Sequence, residues 1–289
     1  MENTRGGMDG KVVLITGGTS GIGKAAATAL AAMGANVIVT GRSKERGEGA
    51  VEEIRRESGS ETVSLMLADL GVQAEVRRLA EEFEERYDRL DVLVNNAGLV
   101  QSERTETSDG IETQLAVNHL APFLLTNLLL DLLKKSAPSR IITVSSDGHR
   151  WGKMDLDDLQ SKRRYRAFPV YGMTKLANIM FTHELAERLE GTGVTANTLH
   201  PGGVNTNFGN NNSGLTTLLF RAFKPFMRSP EQGADTVIYL ASSPEVEGMT
   251  GKYLADRKVK APSDAAYDET TRKRLWEASE ELTGLKVLA

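Results

Sequence analysis

The chain has 289 residues, a formal net charge of −4 at pH 7 and no cysteine. This length buries a large core without covalent cross-links, and the missing cysteine excludes disulfides and thiolate metal sites. The negative charge gives no basis for nucleic-acid binding, and the 4 histidines show no metal-binding spacing. We therefore expect neither a nucleic-acid partner nor a metal.

The first predicted element is a short apolar strand at residues 11–16, followed by a glycine-rich turn and an alanine-rich helix at 24–33. Strand, glycine turn and helix in this order are the context of a dinucleotide-binding fingerprint. Gly17 would form the tight turn, Gly21 would let the backbone approach a phosphate, and Gly23 would let the helix pack on the strand. The alternative is an ordinary glycine-rich turn.

The second predicted strand, residues 36–40, ends at Gly41 and Arg42. A protein that binds NAD usually places Asp or Glu at this strand end, where the carboxylate bonds the ribose hydroxyls. A guanidinium instead suits the 2′-phosphate of NADP through charge-assisted hydrogen bonds. The sequence thus favours NADP over NAD. In the alternative, Arg42 points into solvent beside Glu45.

Strand and helix patterns then alternate along the chain. The further predicted helices span 44–58, 72–87, 109–135 and 170–190, and the further strands span 62–68, 91–94 and 140–144. This alternation predicts an α/β fold with one parallel sheet covered by helices on both faces. No linker rich in proline, glycine or serine divides the chain, so we expect a single domain over residues 1–289.

Tyr171 and Lys175 are the candidate catalytic pair. On a helix, a spacing of four places both side chains on one face, one turn apart. An ammonium beside a phenol stabilises the phenolate, which predicts a tyrosine pKa lowered from about 10 toward working pH. Such a phenol can give a proton to a carbonyl oxygen or take one from an alcohol. The same spacing also occurs by chance on surface helices.

The ordered motifs together resemble the short-chain dehydrogenase/reductase family over about residues 8–255. The signature Thr16-Gly17-x-x-x-Gly21-Ile22-Gly23 is followed by Asp69-Leu70, Asn95-Asn96-Ala97-Gly98, Asn118, Ser145-Ser146, Tyr171/Lys175 and Pro201-Gly202. Asn118-His119-Leu120 and Thr174-Lys175-Leu176-Ala177-Asn178 resemble the retinol-dehydrogenase-like branch. The resemblance implies a Rossmann-type doubly wound parallel sheet of about seven strands in the order 3-2-1-4-5-6-7, with ligands bound at the carboxyl ends of the strands.

The resemblance also implies a catalytic set of Asn118, Ser146, Tyr171 and Lys175. Ser146 would polarise the carbonyl, whereas Ser145 would be a strand-end hydrogen-bonder. Lys175 would bind the nicotinamide ribose and lower the tyrosine pKa, and Asn118 would hold a water that links Lys175 to solvent. His149 borders the substrate pocket in the loop after Ser146, although a structural role is favoured for it.

The predicted cofactor site combines the glycine turn, Arg42 and the family motifs. Asp69 would bind the adenine edge, Asn96 would bind the adenine-side ribose through its backbone, and residues 201–206 would flank the nicotinamide. The full predicted set is Gly17, Thr19, Ser20, Gly21, Ile22, Gly23, Arg42, Asp69, Leu70, Asn96, Ala97, Gly98, Tyr171, Lys175, Pro201, Gly202, Val204 and Thr206.

Residues 205–228 are rich in leucine and phenylalanine, and the resemblance implies that they form a lid over the substrate. An apolar lid implies an apolar substrate, because burying polar groups without partners is costly. The segment could instead lie on a membrane surface or cover a partner subunit. The C-terminal tail, residues 256–289, is expected to dock a helix through Leu275 and Trp276, with a substrate cap as the alternative.

We therefore predict an NADP-dependent oxidoreductase that interconverts an apolar aldehyde or ketone and its alcohol. The alternative is an NADP(H)-binding sensor or scaffold without turnover. Surplus apolar positions on the helices at 109–135 and 170–190 predict a homodimer or homotetramer. The first ten residues are polar, unlike the hydrophobic anchor common in retinol dehydrogenases, and residues 123–133 are too few to span a bilayer. A cytoplasmic protein without a membrane span is expected.

Overall fold

The computed structural model of the protein describes residues 7–204 and 228–285. Within them the strands form one sheet in the order β3-β2-β1-β4-β5-β6-β7-β8. The pairs are parallel except for antiparallel β7–β8. The strands are β1 Val12–Ile15, β2 Asn36–Gly41, β3 Val63–Leu67, β4 Val92–Asn95, β5 Ser139–Val144, β6 Val194–His200, β7 Tyr253–Ala255 and β8 Lys258–Lys260.

Helices cover both faces of the sheet. Because side chains alternate along a strand, Val13 and Ile15 of β1 enter the core on one face, and Val12 and Leu14 enter the core on the other. Helices α1, α2 and α8 pack on the first face, and α3, α5, α6 and α7 pack on the second. The helices are α1 Gly21–Ala32, α2 Lys44–Ser58, α3 Gln73–Arg86, α4 Thr113–Leu115, α5 Ala121–Leu128, α6 Leu130–Lys135, α7 Ala167–Arg188, α8 Pro230–Ser242 and α9 Glu269–Thr283.

The predicted Rossmann-type sheet and its strand order are confirmed, with one strand more than the seven expected. The additional strand, β8, forms a hairpin with β7 through Asp256 and Arg257, whose φ angles are 53° and 59°. Two successive residues with positive φ are typical of the tight turns that join antiparallel strands. Non-glycine residues in this conformation are uncommon, so the sequence pattern did not indicate a turn here.

The predicted continuous helix over 109–135 is wrong. The helical segment begins at Thr113, where the Glu112 carboxylate accepts hydrogen bonds from the backbone N–H groups of Gln114 (2.9 Å) and Leu115 (2.7 Å). It then opens into a π-helical turn, Ala116–Leu120, before α5 begins. Such turns are rare and often lie at functional sites. This one contains Asn118.

The C-terminal helix α9 covers the helix pair α5 and α7. Trp276 is only 3% exposed, and its ring centroid lies 5.0 Å from that of Phe123 and 5.8 Å from that of Phe181. The docked tail helix thus covers Phe123, one of the apolar positions that suggested self-association. The positions buried within this chain are Leu120, Phe123, Leu124, Leu176, Ile179 and Met180.

Candidate active site

The predicted catalytic residues converge at the carboxyl end of β5. Ser146 follows that strand directly, Tyr171 and Lys175 lie on α7, and Asn118 lies in the π-helical turn. The Lys175 Nζ donates a hydrogen bond to the Val144 carbonyl oxygen at 2.9 Å and lies 5.6 Å from the centroid of the Tyr171 ring. The structure therefore brings all four predicted residues to one edge of the sheet.

Ser146 and Tyr171 are hydrogen-bonded, and the neighbouring backbone orients the serine. The Ser146 Oγ accepts a hydrogen bond from the Gly148 N–H at 3.1 Å, so its own hydrogen can point elsewhere. A Cβ at position 148 would lie 3.2 Å from Tyr171 Cε1 and 3.4 Å from Ser146 Oγ. A side chain at position 148 would press on the Tyr171 ring, so glycine suits the close passage of the loop.

The predicted lowering of the Tyr171 pKa is wrong for this arrangement. Burial raises the pKa of Tyr171 to about 12, although the hydrogen bond from Ser146 opposes the rise. Burial also lowers the pKa of Lys175 to about 8. The same desolvation that disfavours the phenolate therefore disfavours the ammonium that was expected to stabilise it. At neutral pH, Tyr171 carries its proton.

Asn118 fastens the loop after β4 to helix α7. Its Oδ1 accepts from the Leu99 N–H at 2.8 Å, and its Nδ2 donates to the Leu99 carbonyl at 2.9 Å and to Thr174 Oγ1 at 3.1 Å. The side chain of Asn118 is 0% exposed. Sequence analysis did not assign a role to Leu99 or Thr174, although Thr174 directly precedes the predicted lysine.

Ser145 is the strand-end hydrogen-bonder that the resemblance implies. Its Oγ donates to the Lys175 carbonyl oxygen at 2.8 Å, and its backbone N–H donates to the Leu199 carbonyl oxygen at 2.8 Å. The first bond fastens the end of β5 to α7 at the position of the candidate lysine. The side chain of Ser145 is 1% exposed, so it does not reach the open edge of the sheet.

The glycine turn forms a cradle at the N-terminus of α1. Gly21 has φ of 54°, and a Cβ at Gly23 would lie 2.5 Å from both the Gly17 carbonyl oxygen and Asn96 Nδ2. The Ser20 side chain does not cap α1, so the first N–H groups of this helix are not satisfied by it. Uncapped N–H groups beside a tight glycine turn fit the pyrophosphate of a dinucleotide.

The remaining predicted cofactor residues line the same edge of the sheet. Thr16 Oγ1 accepts from the N–H groups of Asn96 (3.0 Å) and Ala97 (3.1 Å), a contact that sequence analysis missed. Asp69 Oδ1 accepts from the Gly71 N–H at 2.9 Å. The other members present at this edge are Thr19, Ile22, Leu70, Gly98, Pro201, Gly202 and Val204.

Arg42 is exposed at the end of β2. Its guanidinium makes no ion pair with any residue in the described ranges, 7–204 and 228–285. A Cβ at Gly41 would lie 2.8 Å from Thr19 Cγ2, so the end of β2 is closely packed against the glycine turn. The predicted Thr206 and the lid, apart from Arg228, lie outside the described residues.

The part of the chain that the structure describes shows no group of three or more histidine, aspartate or glutamate side chains placed to hold a metal ion. It also includes no helix with the length and apolar character needed to cross a bilayer.

Comparison with known proteins gives consistent similarities. The short chain dehydrogenase family model matches residues 11–214. Human "Retinol dehydrogenase 14" is 46% identical over 294 residues, covering 96% of this chain and 88% of that protein. An uncharacterized protein from Mycobacterium paratuberculosis superposes with a TM-score of 0.80 at 32% identity, covering 97% of this chain and 96% of that one. The "Pseudomonas aeruginosa RhlG/NADP active-site complex" superposes with a TM-score of 0.68 at 29% identity, covering 85% and 94%.

Proposed function

The chain belongs to the short-chain dehydrogenase family, and on that premise we propose that it interconverts an apolar aldehyde or ketone and its alcohol with NADP(H). Membership makes it an NAD(P)-dependent oxidoreductase of carbonyl and alcohol groups. The observation that carries the finer proposal is the hydrogen-bonded pair Ser146 and Tyr171 beside Lys175, at the same sheet edge as the glycine cradle. When bound, the reduced nicotinamide supplies the hydride.

Tyr171 acts as the general acid when the carbonyl is reduced. Its pKa of about 12 keeps the phenol protonated at neutral pH, so the proton is available for the oxygen that becomes an alkoxide. Alcohol oxidation requires the phenolate, so this direction gains from higher pH. Ser146 accepts from the Gly148 N–H at its Oγ, and when substrate binds, its hydrogen turns from Tyr171 to the reacting oxygen, which polarises the carbonyl.

Asn118 supports a proton relay through its backbone and not its side chain, which is already bonded to Leu99 and Thr174. In an α-helix the Asn118 carbonyl would accept from the N–H of residue 122, but Pro122 has none. Its turn is π-helical, so the remaining backbone donor is the N–H five residues on, at Phe123, and we assign the second lone pair of this carbonyl to a water on the path from Lys175 to solvent. This assignment refines the role that the resemblance implies.

NADP is favoured over NAD by the end of β2. Arg42 is exposed, and no acidic side chain occupies position 41, where a carboxylate would repel a 2′-phosphate. The Asn96 N–H is used by Thr16 Oγ1, which leaves the Asn96 carbonyl as the backbone group for the adenine-side ribose. The similarity to a structure described as an NADP complex supports the same choice.

An apolar substrate is favoured by exposed aromatic side chains on the elements that carry the catalytic residues. Trp151, in the loop after Ser146, is 67% exposed, and Phe168, in the first turn of α7, is 39% exposed. Exposed aromatic groups near a site favour an apolar ligand. Retinol, named in the relatives, is an apolar alcohol, so retinal is the first carbonyl to test.

The test is turnover of a panel of apolar aldehydes and ketones with NADPH, followed by the absorbance of the reduced nicotinamide. Tyr171→Phe should bind NADPH nearly as the wild type does and lose about 10² to 10⁴ fold in turnover. Tyr239→Phe, on α8, is the matched control and removes a hydroxyl that is bonded to Glu245. No turnover across the panel despite NADPH binding would favour the sensor or scaffold instead.

Self-association and a cytoplasmic location stay predictions. Most of the apolar positions on which the first was based are buried within this chain.

A further inference from the structure

Two histidines hold the peptide group that joins Ser146 to Asp147. His149 Nδ1 lies 2.7 Å from the Ser146 carbonyl oxygen, and the Asp147 N–H donates to His200 Nδ1 at 3.0 Å. The oxygen and the N–H belong to the same peptide unit, so one ring holds each end. We propose that His149 and His200 are positioning residues that fix this peptide, and with it the Ser146 hydroxyl; the inference rests on the proposed function.

The contacts require each ring to be neutral and in one tautomer. A carbonyl oxygen only accepts, so His149 carries its proton on Nδ1, and its Nε2 accepts from the Ser263 N–H at 3.0 Å. His200 accepts on Nδ1, so its proton is on Nε2. The His149 side chain is 0% exposed, and its ring packs edge-on against the Tyr253 ring with 5.2 Å between the ring centroids. The two rings therefore have opposite tautomers.

The peptide they hold controls the serine. Ser146 is extended, with φ of −157° and ψ of 155°, and rotation of its following peptide would move the Gly148 N–H away from Ser146 Oγ. That N–H sets the direction of the Ser146 hydroxyl toward Tyr171. The histidines thus act on the reaction through Ser146, without contact of their own to the reacting atoms.

The two rings also connect the serine to other parts of the chain. His200 is the last residue of β6 and directly precedes Pro201, where the predicted nicotinamide loop begins. Ser263 lies in the C-terminal segment between β8 and α9. The orientation of the catalytic serine is therefore coupled to the nicotinamide side of the site and to the segment that leads into the tail helix.

The kinetic test compares His200→Ala with His200→Asn. Asparagine can place its Oδ1 near the position of the histidine Nδ1 and accept from the Asp147 N–H. Loss of one such hydrogen bond should lower kcat about tenfold in His200→Ala, with KM and the NADPH Kd changed less than about threefold. His200→Asn should recover most of kcat. His183→Ala, a buried histidine bonded to the Ala266 carbonyl, is the control.

A double-mutant cycle with Ser146→Ala separates positioning from general loss of structure. If the histidine acts through the serine, adding His200→Ala to Ser146→Ala should lower kcat no further. An equal tenfold loss in both backgrounds, or a folded His200→Asn as slow as His200→Ala, would overturn the inference.

Tautomers measured by nitrogen-15 NMR of the wild-type imidazoles give a readout that needs neither activity nor a variant that folds. Nδ1–H at His149 and Nε2–H at His200 would support the inference, and any other pair of states would overturn it. The turnover of Tyr171→Phe is measured in parallel with the kinetic tests. Full activity in that variant would refute the proposed function. If Tyr171→Phe is inactive but the effects of His200→Ala and Ser146→Ala on kcat are additive, only the histidine inference is refuted.

Discussion

Replacing Arg42 with alanine should weaken NADP binding and leave NAD binding nearly unchanged. Arg42 is exposed, and no described residue forms an ion pair with it, so its removal disturbs little else. A charge-assisted hydrogen bond contributes roughly 1.5–3 kcal/mol, and 1.4 kcal/mol is about tenfold in affinity. Because solvent and salt screen an exposed contact, we expect about a tenfold loss at physiological ionic strength and a larger loss at low salt.

The measurement is a fluorescence titration of each reduced cofactor against wild type and variant. Lys44→Ala is the control, because Lys44 is an exposed cation two residues further on, whose Nζ lies 3.9 Å from a Glu48 carboxylate oxygen. Equal loss of both cofactors in Arg42→Ala, or loss of neither, would refute the argument that this guanidinium selects the 2′-phosphate.

A change of preference from NADP to NAD requires substitutions at two positions. Gly41→Asp adds an acceptor for the ribose hydroxyls, but its Cβ would lie 2.8 Å from Thr19 Cγ2. The single variant should therefore bind both cofactors poorly. Adding Thr19→Ser removes the clashing methyl group, and the double variant should then prefer NAD. Preference for NAD in Gly41→Asp alone would contradict this, because it would show that the Thr19 side chain moves away from the new Cβ at little cost.

Two further predictions concern stability. The pKa of Lys175 falls from 10.5 to about 8 on folding, so its charge costs stability below pH 8, and this cost disappears as the pH rises toward 10.5. Lys175→Met should therefore raise the free energy of unfolding at pH 7 by roughly 1–2 kcal/mol. The pKa shift corresponds to a gain of about 3 kcal/mol, and the lost hydrogen bond to Val144 removes about 1 kcal/mol of it. Urea unfolding that shows destabilisation at pH 7 would contradict this. Trp276→Ala should lower the free energy of unfolding by about 3–5 kcal/mol. The variant should also expose Phe123 and Phe181, so that light scattering detects self-association. A loss of stability below about 1 kcal/mol would show that α9 is not firmly docked.

The features that the sequence predicted well depend on local patterns. The apolar run before Gly17 and the spacing of Gly21 and Gly23 identify a strand, a turn and a helix, because each residue type has a local conformational preference. The position of Tyr171 relative to Lys175 follows in the same way from helix geometry. The family resemblance built on these motifs was confirmed by the comparisons.

The features that were missed depend on tertiary contacts. The π-helical turn could not be predicted from helix periodicity. It contains Asn118, whose side chain bonds to Leu99, a contact that only the fold shows. The raised pKa of Tyr171 depends on how deeply α7 buries it. Sequence analysis expected Trp276 to dock a tail helix, but the rings that it packs against, those of Phe123 and Phe181, follow only from the fold.

The most direct test of the central claim is deuterium transfer from NADPH that carries deuterium at both hydrogen positions of nicotinamide C4. Wild-type protein incubated with labelled cofactor and an apolar aldehyde such as retinal should give an alcohol that carries one deuterium on the former carbonyl carbon, detected by mass spectrometry. Tyr171→Phe should bind the cofactor and give about 10² to 10⁴ fold less labelled product. Labelled product at the wild-type rate from Tyr171→Phe would contradict the role of this tyrosine, and no label from the wild type with any aldehyde or ketone of the panel would contradict the proposed reaction.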